Sequence, residues 1–361
     1  MKIALLGDIG LFGKYDVNIN ANVYEYLSDL SKFLCDYDYV IGNFETPFTQ
    51  KKNSMVCKSA HIKTDFNNVD ILKYLNINIV NLANNHLLDY GFSGYKSTLN
   101  ILEKNYIRYF GIENKQVYLE KEKVVMSGFC CYSSNASGYY KKNSKYGVNI
   151  LDGKNFENTI KCNNEKGYLN IVSVHYGDEH IHYPRWEHLK LARKVAIEVP
   201  YIFYGHHSHV IQGIEVYGKA LLAYSLGNLC FDDVYTKQSS TPKVRQMQKN
   251  KESFILSLDI EGNKLKHYET IPIFDNGSKI VVNPNNSEIL NKINEYSQYL
   301  NLNEDVYRQE RLYNLKKYLL ERKSKRNLEW YVKRLNYNTV GMLIKAKVNQ
   351  KSYKECLKDY I

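Results

Sequence analysis

Lys2-Ile3-Ala4-Leu5-Leu6-Gly7-Asp8 is a short apolar run that ends in a carboxylate, and it sets the pattern for the chain. Tyr39–Ile41 leads into Gly42-Asn43-Phe44-Glu45, and Ile77–Ala83 leads into Asn84-Asn85-His86. Val124–Gly128 runs towards Cys130-Cys131-Tyr132, and Leu169–Val174 towards His175-Tyr176-Gly177. Tyr201–Tyr204 precedes Gly205-His206-His207-Ser208-His209, and Ala220–Ala223 precedes Tyr224-Ser225-Leu226-Gly227-Asn228. Short runs rich in Val, Ile and Tyr that close on polar residues read as buried strands.

Between several of these runs the apolar spacing shifts to that of a helix: Tyr24–Leu34, Val69–Leu75, Tyr95–Glu103 and Trp186–Val195. Alternating strands and helices predict an α/β architecture with covered sheets. Phe254–Ile260 and Lys266–Ile273 flank Glu261-Gly262-Asn263, which predicts a β-hairpin. Pro284-Asn285-Asn286-Ser287 then reads as a linker and a helix N-cap. The expected division is a body of residues 1–278 and a basic helical region of residues 279–361.

The 361 residues carry a net charge of +11, with 44% hydrophobic and 24% charged residues, as in soluble globular proteins. That charge is uneven. Residues 301–361 hold 15 Lys/Arg and 7 Asp/Glu, a net +8, so the body is close to balanced. The N-terminal apolar run is too short for a secretory core, and no stretch approaches the ~20 apolar residues of a spanning helix. The expected location is the cytoplasm, with peripheral attachment at the inner membrane face as the variant. Seven cysteines, odd in number and without a CxxC pair, argue against a disulfide framework or a thiolate zinc site. Cys130 and Cys131 are expected to alternate across a strand, one inward and one outward.

Ligands in α/β proteins collect at the carboxyl ends of strands, and those are the positions that carry Asp, Glu, Asn and His here. Alone, Asp8 reads as a turn or helix cap, Glu45 as a surface residue and His175 as a core histidine. Together they suit a divalent ion such as Zn, Mn or Fe, which polarises a substrate and activates water. The candidate ligands are Asp8, Glu45, Asn85, His175, His207 and His209. His207-Ser208-His209 is the strongest local signal, because the i,i+2 spacing in an extended segment puts both imidazoles on one side. His86 is the candidate general acid or base, its ordinary pKa lying near 6.5. Arg185 is a candidate for an anionic oxygen, and also reads as a plain surface arginine.

The motifs also resemble a family. Gly7-Asp8, Gly42-Asn43-Phe44-Glu45, Leu82-Ala83-Asn84-Asn85-His86 with Asp89-Tyr90-Gly91, Val174 to Glu179, Gly205 to Gln212, and Tyr224 to Asn228 come in the order found in the bacterial capsule-synthesis CapA proteins, also called poly-γ-glutamate synthesis proteins. That family is similar to the calcineurin-like metallophosphoesterases. The match covers roughly residues 1–235 and continues to about 275. The resemblance implies a four-layer α-β-β-α sandwich of two mixed sheets with a helical C-terminal appendage. It implies Asp8 as a first-metal ligand, Asn85 as a second-metal ligand with a share in catalysis, His86 as leaving-group acid, and His175, His207 and His209 as further ligands. Glu45 stands where the wider superfamily has a bridging Asp. Asn43, Asn84, Glu179, Arg185, Gln212 and Asn228 are the expected substrate contacts. Position 10 is Gly where phosphoesterases carry a second-ligand His, so the site holds one ion, or two if substrate helps recruit the second.

The expected function is that of a metal-dependent hydrolase, a phosphatase or phosphodiesterase, in capsule or other surface-polymer synthesis. Its substrate is an anionic sugar-, lipid- or polymer-phosphate. The rivals are an amide hydrolase or transferase on a glutamate polymer, and a non-catalytic accessory subunit of a synthesis complex. From residue 301 on, Arg and Lys interleave with Leu, Tyr, Trp330 and Val, which reads as two or three amphipathic helices. They pack on the body with a solvated basic face, or dock on an anionic membrane surface or an acidic partner. No nucleic-acid module is recognised.

Overall fold

Side chains of β1 (Lys2–Ile9) alternate between two interiors: Ile3 and Leu5 lie in one core, and Ala4, Leu6 and Ile9 in another. A strand buried on both faces needs a layer on each side, which is why its sequence is continuously apolar. The computed structural model describes residues 1–361 apart from 142, 237–238 and 325–336.

The first sheet contains β1, β2 (Tyr39–Phe44), β3 (Ile77–Asn81), β4 (Arg108–Phe110), β11 (Asn228–Cys230), β14 (Glu252–Glu261), β15 (Lys264–Asp275) and β16 (Ile280–Val282). Its order is β16-β15-β14-β1-β2-β3-β4, with β11 beside the end of β1. β1 to β4 are parallel and the β14–β15 hairpin is antiparallel, so the sheet is mixed. The second sheet contains β5 (Val117–Leu119), β6 (Val124–Cys130), β7 (Leu169–His175), β8 (Tyr201–His206), β9 (Ile214–Tyr217) and β10 (Ala220–Ala223), in the order β5-β6-β7-β8-β10-β9. Its four central strands are parallel and both edges antiparallel. β12 (Val234–Thr236) and β13 (Ser239–Val244) form a separate ribbon.

Ile3, Leu5, Ile41 and Ile79 of the first sheet meet Met126, Ile171, Ile202 and Leu221 of the second in the inner core. The outer face of the first sheet is covered by α1 (Val23–Tyr26), α2 (Ser28–Leu34), α3 (Val69–Tyr74) and α4 (Gly91–Lys104), through Tyr26, Leu30, Leu72 and Leu102. The outer face of the second is covered by α5 (Gly153–Glu165) and α6 (Trp186–Glu198), through Phe156, Ile160, Leu189 and Val195. This is the four-layer sandwich the sequence led us to expect.

Several expectations need correction. The helical stretch 24–34 is two helices that meet at Leu27. α5 had no clear signal, because its sequence is polar and presents few apolar residues to the sheet. β16 pairs with β15, so the first sheet extends past the expected boundary at residue 278. Cys130 and Cys131 do alternate to opposite faces of the second sheet, as expected, and each is buried in the core on its side.

The C-terminal region closes on the body. α7 (Ser287–Tyr299) inserts Ile289 and Ile293 into the inner core. α8 (Glu304–Ser324) buries Tyr307, whose hydroxyl donates to Pro184 O at 2.8 Å. α9 (Tyr337–Cys356) buries Tyr353, and Leu357 and Tyr360 follow it into the same core as α6. Trp330 and any third helix around it lie outside the described residues. No helix among the described residues is long and apolar enough to cross a membrane.

Candidate metal centre

The carboxyl ends of β1, β2 and β3 meet those of β7 and β8 at one end of the sandwich. Two glycines let the backbone close there. A Cβ on Gly7 would lie 2.0 Å from Gly227 O, and one on Gly205 would lie 1.9 Å from Tyr224 O. Each glycine precedes a site residue, Asp8 or His206, and the tight approach fixes where that residue projects.

Asp8, Glu45 and His209 are buried and offer ligand atoms that all lie within 4.8 Å of one another. Asp8 Oδ2 is 3.3 Å from His209 Nδ1, and Asp8 Oδ1 is 3.1 Å from His206 Nδ1. The His207 amide donates to Asp8 Oδ2 at 3.1 Å. Asn43 ties the group together: its Nδ2 lies 2.8 Å from Asp8 Oδ1, 3.3 Å from Glu45 Oε1 and 3.2 Å from His175 Nδ1. Asn81 Nδ2 in turn donates to Asn43 Oδ1 at 2.9 Å, which sets the orientation of the Asn43 amide.

A second set of donors adjoins the first. Asn85 Oδ1 and His175 Nε2 are 3.1 Å apart, close to the ~3 Å between neighbouring ligand atoms on one ion at ~2.1 Å. The rings of His175 and His207 are 4.7 Å apart. His207 and His209 do not lie on one side of an extended strand. Both adopt left-handed backbone, with φ of +85° and +54°, and their rings sit 6.1 Å apart. That conformation costs on the order of 1–3 kcal/mol per non-glycine residue and turns one imidazole to each donor set.

The charges follow from burial and from these contacts. Burial works against an ionised Asp8, yet its contacts with His206 and His209 hold its carboxyl well below the usual range. Burial and the Asp8 charge push Glu45 well above it. Burial disfavours a charged His209, but Glu45 and Asp8 raise it to about 10. Burial pushes His175 well down and His207 down to about 4. The resting cluster is therefore an Asp8–His209 ion pair beside a carboxyl that keeps its proton. Glu45 Oε2, His207 Nδ1 and His206 Nε2 are buried without a hydrogen-bond partner among the described residues. Buried polar atoms are nearly always paired, so the orphaned Glu45 Oε2 and His207 Nδ1, carried by residues of the two donor sets, fit a metal ion.

His86 lies beside the cluster with Nδ1 2.6 Å from Asp89 Oδ2. Lys58 Nζ donates to Asp89 Oδ1 at 3.0 Å and to Asn85 O at 2.6 Å. Burial, then the Lys58 charge, lowers the His86 pKa. The sequence reading did not select Lys58, Asp89, His206 or Asn81. Asp89 stands three residues after His86, one turn away, and was visible in its motif. Lys58 comes from a loop far upstream, and nothing in its neighbourhood marks it.

The expected substrate contacts divide. Asn43 belongs to the cluster. Asn228 Oδ1 is 2.8 Å from His209 Nδ1 and orients that ring. Asn84 accepts from the amides of His86 and Leu87 at 3.0 Å and so pins the turn that presents His86. Gln212 donates to Ile181 O and is part of the fold's internal bonding. Arg185 is spent elsewhere: it forms a two-pronged ion pair with Asp178 at 2.9 and 2.6 Å and faces the Tyr353 ring, and Arg311 joins the same carboxylate. Glu179 is exposed and faces the imidazoles of His207, His180 and His209.

Two mixed sheets between helices, with an Asp, Glu and His cluster that could hold a metal ion where strands from both sheets end, define a class of α/β protein with a candidate metal centre. Residues 2–233, more than half of the chain, match the family described as bacterial capsule synthesis protein PGA_cap, and the chain belongs to that family. It is 29% identical over 264 residues to PGA biosynthesis protein CapA of Bacillus subtilis, covering 69% of this chain and 68% of that protein. It is 28% identical over 275 residues to capsule biosynthesis protein CapA of Bacillus anthracis, covering 72% and 66%. The chain thus spans about two thirds of these relatives. Among solved structures, a 5'-nucleotidase of Candida albicans aligns at 12% identity with a TM-score of 0.40, over 99% of this chain and 57% of that one.

Proposed function

We propose that this protein is a metal-dependent phosphoesterase acting on an anionic precursor of a surface polymer. The observation that carries the reading is the Asp8–Glu45–His209 cluster with unpaired donors around it and a His86–Asp89 pair beside it. Asp8, Glu45 and His209 would hold one ion of Mn, Zn or Fe, and Asn85, His175 and His207 a second. A bound ion supplies Lewis-acid polarisation and an activated water. Asn43 and Asn228 hold the ligand side chains in register. Asp89 engages His86 at Nδ1, which leaves Nε2 to carry the proton for a leaving oxygen. Lys58 compensates the Asp89 charge. The relatives are named for PGA and capsule biosynthesis, which supports a polymer precursor as substrate.

A second reading, a non-catalytic binding subunit, draws on Gly10, which removes one ligand from the phosphoesterase pattern. Metal analysis of the purified chain after Mn loading, together with hydrolysis of p-nitrophenyl phosphate and its diester, separates the two. The proposal expects one or two ions per chain and turnover that stops with a chelator. No bound ion ends it, and bound ion without turnover favours the binding subunit.

A further inference from the structure

The C-terminal helices lie outside the family match at residues 2–233, yet they reach the rim of the cluster at two places. On one flank the Tyr318 ring of α8 is 5.6 Å from that of His180, which is 6.4 Å from His209. Lys249 Nζ donates to His180 O at 2.9 Å and sits 5.5 Å from the Tyr318 ring centre. Arg322, one turn past Tyr318, is exposed, and its charge acts on Tyr318, His180 and Glu179. Neither Arg322 nor Lys249 has an ion-pair partner among the described residues. Glu179 and Glu321 are acids in this field, and Glu179 also faces the imidazoles of His207 and His209.

On the other flank α9 brings Lys345. Its Nζ donates to Asn135 O at 3.2 Å and to Ser137 Oγ at 2.5 Å, and Asn349 holds Asn135 Oδ1 at 2.8 Å. Gly341 of α9 packs on Cys57, the neighbour of Lys58. Lys58 has Asp89 as counter-charge, whereas Lys345 bonds to the neutral oxygens of Asn135 and Ser137. Burial, followed by the Lys58 charge, pushes the Lys345 ammonium down to about 8. Asp89 offsets part of that cost, and one carboxylate against two cations leaves a place for a further anion.

We propose that α8 and α9 complete the site with two oxyanion-binding positions, Arg322 with Lys249 beside His180 and Lys345 with Lys58 beside His86. The substrate then carries a second anionic group next to the one that reacts. This rests on the phosphoesterase reading and adds its substrate class. Guanidinium and ammonium groups both hold phosphate or carboxylate oxygens, the first in two-pronged fashion.

The test is calorimetric titration of the full Mn-loaded chain with hexyl phosphate and with 1,6-hexanediol bisphosphate, and in a parallel arm with hexanoate and adipate. The wild type binds the two-headed ligand of at least one arm about tenfold more tightly than its one-headed partner, and the arm that shows it identifies phosphate or carboxylate. The double variant Arg322→Gln, Lys345→Gln cuts that advantage below about threefold, while hexyl phosphate affinity and Mn content stay unchanged, and one of the two single variants does the same. Lys345→Arg keeps it. An equal advantage in the wild type and the double variant overturns the inference. A chain that binds Mn and hexyl phosphate but favours neither two-headed ligand overturns it and leaves the phosphoesterase reading standing. A chain that binds neither Mn nor hexyl phosphate ends both.

Discussion

Loading the Asp8–Glu45–His209 cluster with a divalent ion releases protons, and the charge state of the metal-free site sets how many. Burial alone would discharge His209, but Glu45 and Asp8 raise it to about 10, so near neutral pH its imidazole is charged. Glu45, raised by burial and by Asp8, keeps its proton well above the ordinary carboxylate range. Asp8, held low by His206 and His209 against burial, has none to lose. A ligand imidazole must be neutral and a ligand carboxylate ionised, so the ion displaces one proton from His209 and up to one from Glu45. Each displaced proton steepens the apparent association constant by one logarithmic unit per pH unit. Between about pH 6 and about pH 8, affinity therefore rises about 10²-fold for one proton and up to about 10⁴-fold for two. The assay is titration of Mn into the metal-free chain in three buffers of different ionisation enthalpy. The slope of observed heat against buffer enthalpy gives the proton count, expected between one and two, and Glu45→Gln lowers it. A slope of zero with affinity flat across that range refutes the assigned charges.

Metal-free protein also changes stability with pH. A His209 pKa raised from 6.5 to about 10 contributes stability that is complete below ~6.5 and is lost as pH rises towards ~10. The lowered Asp8 contributes stability present above ~3.8 and lost on acidification. Thermal unfolding from pH 6.5 upwards therefore shows a falling midpoint, which saturating Mn reverses. Leu357→Ala, fully buried where the chain returns to the second sheet, costs about 2–5 kcal/mol in urea unfolding. Asp178→Asn frees Arg185 and Arg311 and costs about 1–2 kcal/mol, since the pair is partly exposed, while Mn content stays the same. A loss of Mn in that variant would return Arg185 and its partner to the site.

Much of this was legible in the chain. Ile3 and Leu5 facing one core and Ala4 and Leu6 another are what a continuously apolar strand requires, and the residue after each such run marked the site. Asp8, Glu45, Asn85, His175, His207 and His209 come together because each lies at the carboxyl end of a strand or in the few residues after it. The i,i+2 argument for the two histidines failed because His207 and His209 leave the strand in left-handed backbone, a conformation no side-chain pattern announces. Lys58 and Lys345 were not legible either: both reach the site from segments far off in sequence, and only packing brings them there. Arg185 looked free because Asp178, seven residues earlier, carries no mark of the pair it makes.

The most direct test of the central claim separates holding a metal from using it. His86 sits outside the two ligand sets, whereas His209 is inside one. His86→Gln is expected to keep wild-type Mn content and lose about 10²–10⁴-fold in turnover of a phosphoester, the usual worth of a proton donor. His209→Ala loses both metal and turnover. Wild-type turnover in both variants, or Mn-independent turnover in the parent chain, contradicts the account.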